Sequence, residues 1–569
     1  MQDYDVIVVG GGINGLTAGA YLAKAGLRVA VFEARGQCGA HCDTIELGLP
    51  GFLHNTHAQM LVPAISPAMT DLELERFGLE LRGTDGLFAA TFLTGKNLVS
   101  SHDPAATHAA IARASQRDGA VHERIGQYLM EHSMDAMELA QAIFRAPSHE
   151  TARRRAALYD GILHALELPL RGDDVLRMTG FEVMELLYES EQVRTILAAW
   201  GEYTGQWPVH PRMGWQAMNF AALAPTPVHT ARGGSHALTH ALVRCFVHHG
   251  GEVWTTCPVD KILMRDGRAG GVRLSPDALF PGEEIHARLI VSNLTLVPTF
   301  IRCLGVEVIG GEWAEKIEHF NYDDPQLIAV LYALKADPEF ASAAYDATIQ
   351  RTWVGYFGGE NIASIRREMT DCLNGTIADE IMGGWFIPTR ADPCQAPPGG
   401  HTMEAWVSVP ACPRRWRGRS LRGWEAWPEI AEPLADVITD RFAQYAPGFN
   451  DLILERHVLT PYEMERNNPS AIRGNMIGGS ALPEQAGTNR PLPGVVTRGA
   501  SRSFVPGLYL SNSIEPFGAT HLASGYVVAC EVAEDLGCRD APWWQAQPYV
   551  WFFENMFRLP MNLGVRAAP

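Results

Sequence analysis

The stretch DVIVVGGGINGLTAGAYLAKAGLRVAVFE, residues 5–33, decides the fold. An apolar run at residues 6–9 leads into Gly10-x-Gly12-x-x-Gly15, with Gly19 one helical turn further on, and a second apolar run ends on the acid Glu33. Strand, glycine turn, helix, strand and acid, in that order within about 30 residues, are what a dinucleotide-binding unit requires. The glycines let the chain turn tightly and let backbone approach a pyrophosphate at a helix N-terminus, where free N–H groups and the helix dipole favour negative charge. An acid at the tip of the second strand is placed to accept hydrogen bonds from a ribose.

The residues after Glu33 narrow the choice of dinucleotide. Ala34, Arg35, Gly39 and then Gly51-Phe52 follow. This run resembles the E-A-R…G-G…G-F segment of FAD-binding oxidoreductases in the amine oxidase and phytoene desaturase superfamily. The chain departs from that pattern at Ala40-His41, where Gly-Arg is usual, and His41 changes the charge offered to the flavin side. RGGSHAL (residues 232–238), the hairpin glycines Gly267 and Gly270-Gly271, and a strand ending in Asn293 resemble the family's middle FAD segment. By that resemblance Val259 holds the adenine through its backbone; read alone, the segment is an ordinary β-meander. The stretch from Asn489 through GLYL to the run ending at Leu536 resembles the C-terminal flavin motif. There Asn512, Pro516, Gly518 and Thr520 are expected around the isoalloxazine, with a closing helix from Ser524 to Glu534. GFLHNTHA (51–58), ISP (65–67) and NNPSAIRGN (467–475) are closest to the phytoene desaturase-like group, with Asn55 where Asp is common and His521 where a small residue is common.

The fold class expected is α/β: a three-layer Rossmann-like FAD-binding domain, parallel sheet with β-meander, interleaved with an α+β substrate domain. The FAD segments are read at 1–65, 228–298 and 465–540, and the substrate segments at 66–227 and 299–464. Residues 541–569 form an aromatic-rich tail. A chain of 569 residues is too long for one core, which agrees with this division.

Composition excludes other classes. A 47% hydrophobic content is that of a globular enzyme and excludes a disordered chain. The net charge of −18 argues against nucleic acid and against electrostatic binding to anionic lipid. Ten cysteines without a CxxC pair read as reduced thiols, not as a disulfide framework or a metal site. No apolar run reaches the length of about 18 residues that a spanning helix needs. The first strand begins at once, leaving no room for a signal peptide. The expectation is a cytoplasmic protein, with peripheral membrane contact left open.

Flavin oxidation requires hydride delivery to N5 and loss of a proton elsewhere. The proton-handling candidates are His54, His57, Glu515 and His521; each could instead hydrogen-bond backbone or flavin oxygens. No second GxGxxG is present, so dioxygen or a quinone, not NAD(P), is the expected electron acceptor. The leading reading is desaturation of a hydrophobic small molecule. The first alternative is amine oxidation, weakened because the five lysines (Lys24, Lys96, Lys261, Lys316, Lys335) offer no evident partner for flavin N5. The second is a non-redox isomerase or binding flavoprotein. The aromatics Trp200, Tyr203, Trp207, Trp215 and Phe220 either wall a pocket or fill the core between the domains. The tail either folds back on its own domain, seals a homo-oligomer or docks on a bilayer surface.

Overall fold

The computed structural model describes residues 3–223, 228–492, 500–511 and 519–558. The opening run folds as expected. Strand Tyr4–Val9 leads into helix Ile13–Lys24 and then strand Val29–Phe32. These two strands pair in parallel, and Glu284–Ser292 pairs in parallel on the other side of Tyr4–Val9. Glu252–Trp254 extends one edge in parallel, and Leu508–Leu510 adds beside Ile290, Val291 and Ser292.

Three layers follow from side-chain alternation along these strands. Val6, Val8, Val29 and Val31 face a core built from helices Ile13–Lys24, His236–His248 and Ala523–Leu536. Ile7, Val9, Ala30 and Phe32 face the opposite core, which contains the meander. That meander is the antiparallel trio Val259–Arg265, Arg268–Leu274 and Glu284–Ser292. The last of these strands is therefore antiparallel to the meander over its first half and parallel to the Rossmann strands over its second. Each fully buried valine or isoleucine contributes about 1.5–3 kcal/mol. The three-layer α/β expectation holds.

A second seven-stranded sheet runs in the order Ile453–Leu459, Gln326–Leu334, His401–Val409, Gly383–Phe386, Val354–Phe357, Gly86–Thr91, Asn97–Ser101. All its pairings are antiparallel except Val354–Phe357 with Gly86–Thr91. Strand QLIAVLYAL divides its side chains between two cores. Ile328, Val330 and Tyr332 pack with helix Trp427–Ala443, and Ala329 and Leu331 pack with helices Gly180–Leu187 and Glu191–Tyr203. The region 104–200 is helical, as its three- and four-residue apolar spacing predicts.

The described part of the tail, residues 541–558, folds back on its own chain. Trp544, 2% exposed, lies 4.8 Å from the Tyr21 ring, and Lys24 Nζ sits 4.7 Å from the Trp543 ring centre. The Tyr549 amide donates to the Ile65 carbonyl at 2.8 Å, and Trp551 Nε1 donates to Glu75 at 2.9 Å. Among the described residues no helix is long and apolar enough to cross a membrane.

Candidate active site

Helix Ile13–Lys24 begins at Gly12, which makes no side-chain capping bond, so its first amides are left for another acceptor. Gly12, Ile13 and Asn14 border a cavity of about 990 Å³. The same cavity touches Val259, Asp260 and Ser275 of the meander, Asn468, Pro469 and Ser470 of the NNPS motif, and Trp200, Tyr203, Phe220 and Trp406 beside the second sheet. A third wall, Ile65, Ile143, Phe552 and Phe553, lies under the tail.

The structure brings most of the expected site residues to this space. Gly10, Gly12, Glu33, Ala34, Arg35, Gly39, Ala40, His41, His57, Val259, Asn293, Thr520 and His521 all line it. Gly15 does not. Its glycine requirement is internal, because a Cβ there would meet the Gly10 carbonyl oxygen at 2.6 Å. At Gly12 a Cβ would meet Asn293 Nδ2, also at 2.6 Å. Asn293 is fixed in turn: its amide donates to the Val9 carbonyl at 2.8 Å, and its Oδ1 accepts from Ser511 Oγ at 2.7 Å. Asn512, Glu515, Pro516 and Gly518 lie outside the described residues.

Glu33 is 7% exposed and accepts from the backbone amides of Gly11 at 2.7 Å and Arg35 at 2.8 Å. Burial raises its carboxyl above the usual range, and those amides oppose the shift. Arg35 donates to Asp43 at 2.6 Å, which fixes the loop after the acid. Within that loop Ala40 has φ +52°, a left-handed conformation in which the family pattern has glycine.

Burial disfavours the charged form of His41, His54, His57 and His521. His41 and His57 lie with ring centres 4.7 Å apart, and His41 Nε2 accepts from Asn468 Nδ2 at 3.1 Å. Burial, reinforced by Arg35, pushes His41 down to about 4. Burial pushes His57 well below the usual imidazole range, helped by His41. His57 Nδ1 is 2.8 Å from Thr56 Oγ1, and its buried Nε2 has no partner among the described residues. His521 is also pushed down to about 4 by burial. His54 is held apart from the others. It is buried in the ribbon of Thr44–Glu46 and Leu53–Asn55, off the cavity lining, and is pushed to about 4 by burial and His457.

The aromatics of 199–221 divide between the two roles. Trp200, Tyr203 and Phe220 wall the cavity, whereas Trp207 is core, 2% exposed, and Trp215 packs under Arg155. None of the five lysines lines the cavity.

Sequence reasoning missed a buried polar pair. Gln59 lines the cavity, and its Nε2 donates to Glu404 at 2.5 Å. Glu404 is 1% exposed on strand His401–Val409, two residues before Trp406, and burial pushes its carboxyl up to about 8. The signal was present as one acid inside the otherwise uncharged run TMEAWVSV.

Residues 8–72 match the family described as NAD(P)-binding Rossmann-like domain. The chain is 27% identical to one component of the limonene dehydrogenase of Castellaniella defragrans, covering 96% of each chain. It is 27% identical to mouse (Mus musculus) pyridine nucleotide-disulfide oxidoreductase domain-containing protein 2, over 94% of each. A lycopene-forming phytoene desaturase of Pseudescherichia vulneris is 21% identical over 80% of this chain and 85% of its own. Among solved structures, a putrescine oxidase variant has the same fold, with TM-score 0.56 and 15% identity over 94% of this chain and 99% of that one.

Proposed function

We propose that the chain is an FAD-dependent oxidoreductase of the phytoene desaturase-like kind that dehydrogenates a largely hydrophobic small molecule, a reading supported by its likeness to a limonene dehydrogenase component and a phytoene desaturase. The observation that carries the reading is the continuity of one cavity. The uncapped helix N-terminus at Gly12 and the aromatic wall of Trp200, Tyr203, Phe220 and Trp406 open into the same space. An apolar wall with few polar groups selects an apolar substrate, and desolvation strengthens the polar contacts that remain.

The residues present fit FAD. The uncapped amides suit a pyrophosphate, and the buried Nε2 of His57, without a partner among the described residues, suits a polar atom of a ligand. In this reading Gly10, Gly12 and Gly15 shape the pyrophosphate turn, Glu33 holds the ribose, and backbone at Val259 holds the adenine. Ala34, Arg35, Gly39, Ala40, His41, Asn293 and Thr520 enclose the remainder. When bound, FAD supplies two-electron oxidation by accepting hydride at N5, with electrons passed on to dioxygen or a quinone.

The chain's own part is binding, orientation and exclusion of water. His57 and His521, as neutral rings with low proton affinity, serve as hydrogen-bond partners within the cavity better than as bases. The aromatic wall excludes water from the carbon to be oxidised. Amine oxidation is the weaker reading, because no lysine reaches the lining.

The test is the visible spectrum of the purified protein, reduced without air and then mixed with aerated buffer. Flavin bands that bleach and return within seconds identify dioxygen as the acceptor, and slow return directs the search to quinones. A protein without flavin bands would overturn the proposal. Substrate screening then separates the chemistries, since a new C=C bond supports dehydrogenation and release of aldehyde and amine supports C–N oxidation.

A further inference from the structure

Residues of the C-terminal tail also line the cavity. Helix Val550–Asn555 is short, yet Phe552, Phe553 and the following Phe557 all line the cavity, as does Tyr549. Phe552 is 3% exposed and belongs to the core, whereas Phe557 is 36% exposed at the surface. The three phenylalanines form one cluster, with ring centres 5.6 Å (Phe552–Phe553), 5.0 Å (Phe552–Phe557) and 5.8 Å (Phe553–Phe557) apart. Ile65, whose carbonyl accepts from the Tyr549 amide, and Ile143 line the same cavity and add further apolar wall.

The segment is held by specific bonds. Ala546 donates to Asp71 at 3.0 Å, Tyr549 to the Ile65 carbonyl at 2.8 Å, and Trp551 to Glu75 at 2.9 Å. Three hydrogen bonds on residues 546–551 fix the backbone just before the phenylalanines, and aromatic side chains with two rotatable angles then fill space at small entropic cost.

We infer that residues 549–557 are an end wall of the substrate cavity, and that Phe553 and Phe557 set how long an apolar molecule it accepts. The inference rests on the functional reading above, in which the space beyond the cofactor takes an apolar substrate. A buried ring at the end of a pocket discriminates by size. One methylene more or less in such a site changes binding by about 10–200-fold. Phe553 is the better lever, because it lines the cavity without being fully buried in the core, and Phe557 is a second, more exposed lever at the rim.

The test titrates the full-length flavin-loaded protein with octanol, dodecanol and hexadecanol by calorimetry. Phe553→Ala is expected to improve hexadecanol binding relative to octanol by about tenfold, and Phe553→Trp to shift the ratio by a similar factor the other way. Phe557→Ala should move the ratio in the same direction as Phe553→Ala; as a partly exposed side chain it is removed without unfolding the chain, and decides the matter if Phe553→Ala does not fold. Unchanged ratios in all folded variants would overturn the inference. Loss of flavin from Phe553→Ala with an unchanged alkanol ratio would also overturn it, because the ring would then belong to the cofactor. Flavin content is read separately by absorbance. A wild-type protein lacking flavin would count against the functional reading while the alkanol ratios still judge the wall.

Discussion

The backbone amide of Ala523 donates to Nδ1 of His521 at 3.1 Å, so an imidazole caps the helix whose N-terminus adjoins the cavity. The cap requires Nδ1 to be unprotonated, which agrees with the low proton affinity of that ring. The residue between them, Leu522, has φ +61° and supplies no side-chain cap of its own. His521→Leu should therefore destabilise the protein by about 1 kcal/mol, and His521→Asn, which restores an acceptor, should recover part of it. Equal denaturant midpoints for wild type and His521→Leu would refute the capping role.

His54 gives a pH prediction of definite sign. Its folded value of about 4 lies below the ordinary value of 6.5, so the neutral ring is the form the fold accommodates. Its contribution to stability is intact above pH 6.5 and is lost as pH falls towards 4, because the unfolded chain binds a proton the folded one refuses. His54→Leu removes this loss. Relative to wild type, the variant should gain on the order of 3 kcal/mol between those two limits. The check is the difference in unfolding midpoint of the apoproteins across that range; a constant difference would refute it.

Glu404 has the opposite sign. Its carboxyl is raised from 4.5 to about 8, so its contribution is complete below pH 4.5 and is lost as pH rises towards 8. Glu404→Gln keeps an acceptor for Gln59 and removes the ionisation. The variant should be more stable than wild type by on the order of 3 kcal/mol at neutral pH, with the advantage vanishing in acid. Paired denaturation curves in acid and at neutral pH decide this, and an advantage that persists in acid would contradict it.

Ala40 occupies the left-handed region at φ +52°. A Cβ there costs about 1–2 kcal/mol, part of which glycine returns as unfolded-state entropy. Ala40→Gly should stabilise the apoprotein by about 0.5–1 kcal/mol, measured as a raised midpoint with an unchanged denaturant slope.

At Gly12 the requirement is steric. The first side-chain carbon would collide with Asn293 Nδ2, and a branched side chain would also occupy the mouth of the uncapped helix N-terminus. Gly12→Val should purify without flavin, and a yellow protein with full flavin content would disprove the assignment of the pyrophosphate turn.

The Rossmann sheet was legible because each of its first strands is a continuous apolar run bounded by glycine or acid, and the meander because its hairpin carries glycines. The second sheet was legible only in part. Strand QLIAVLYAL is buried on both faces, so no polar alternation marks which residue faces which core. The order of that sheet is set by pairings such as Ala89 with Gly355, far apart in the chain. At the site, Glu33 and the glycines announce themselves within one unit. Gln59 and Glu404 do not, since they are 345 residues apart and meet only after both sheets have formed. The dense aromatics of the tail were visible, but the cavity they face also depends on Ile65 and Ile143, which no local pattern links to them.

The strand Glu284–Ser292 changes partners midway along its length, and this bears on how the protein is made. Its first half can pair with the meander as soon as it leaves the ribosome, and Tyr4–Val9 is already there to receive its second half. The other edge, at Ile290 to Ser292, waits for Leu508–Leu510. At about 5–20 residues per second, that leaves the edge open for roughly 10–45 s of synthesis. During that interval an apolar strand edge stands unpaired, and the helix Ala523–Leu536, which shares a core with Ile13–Lys24, has yet to be translated. The order in which the sheet is supplied thus fixes when its last apolar edge can be covered.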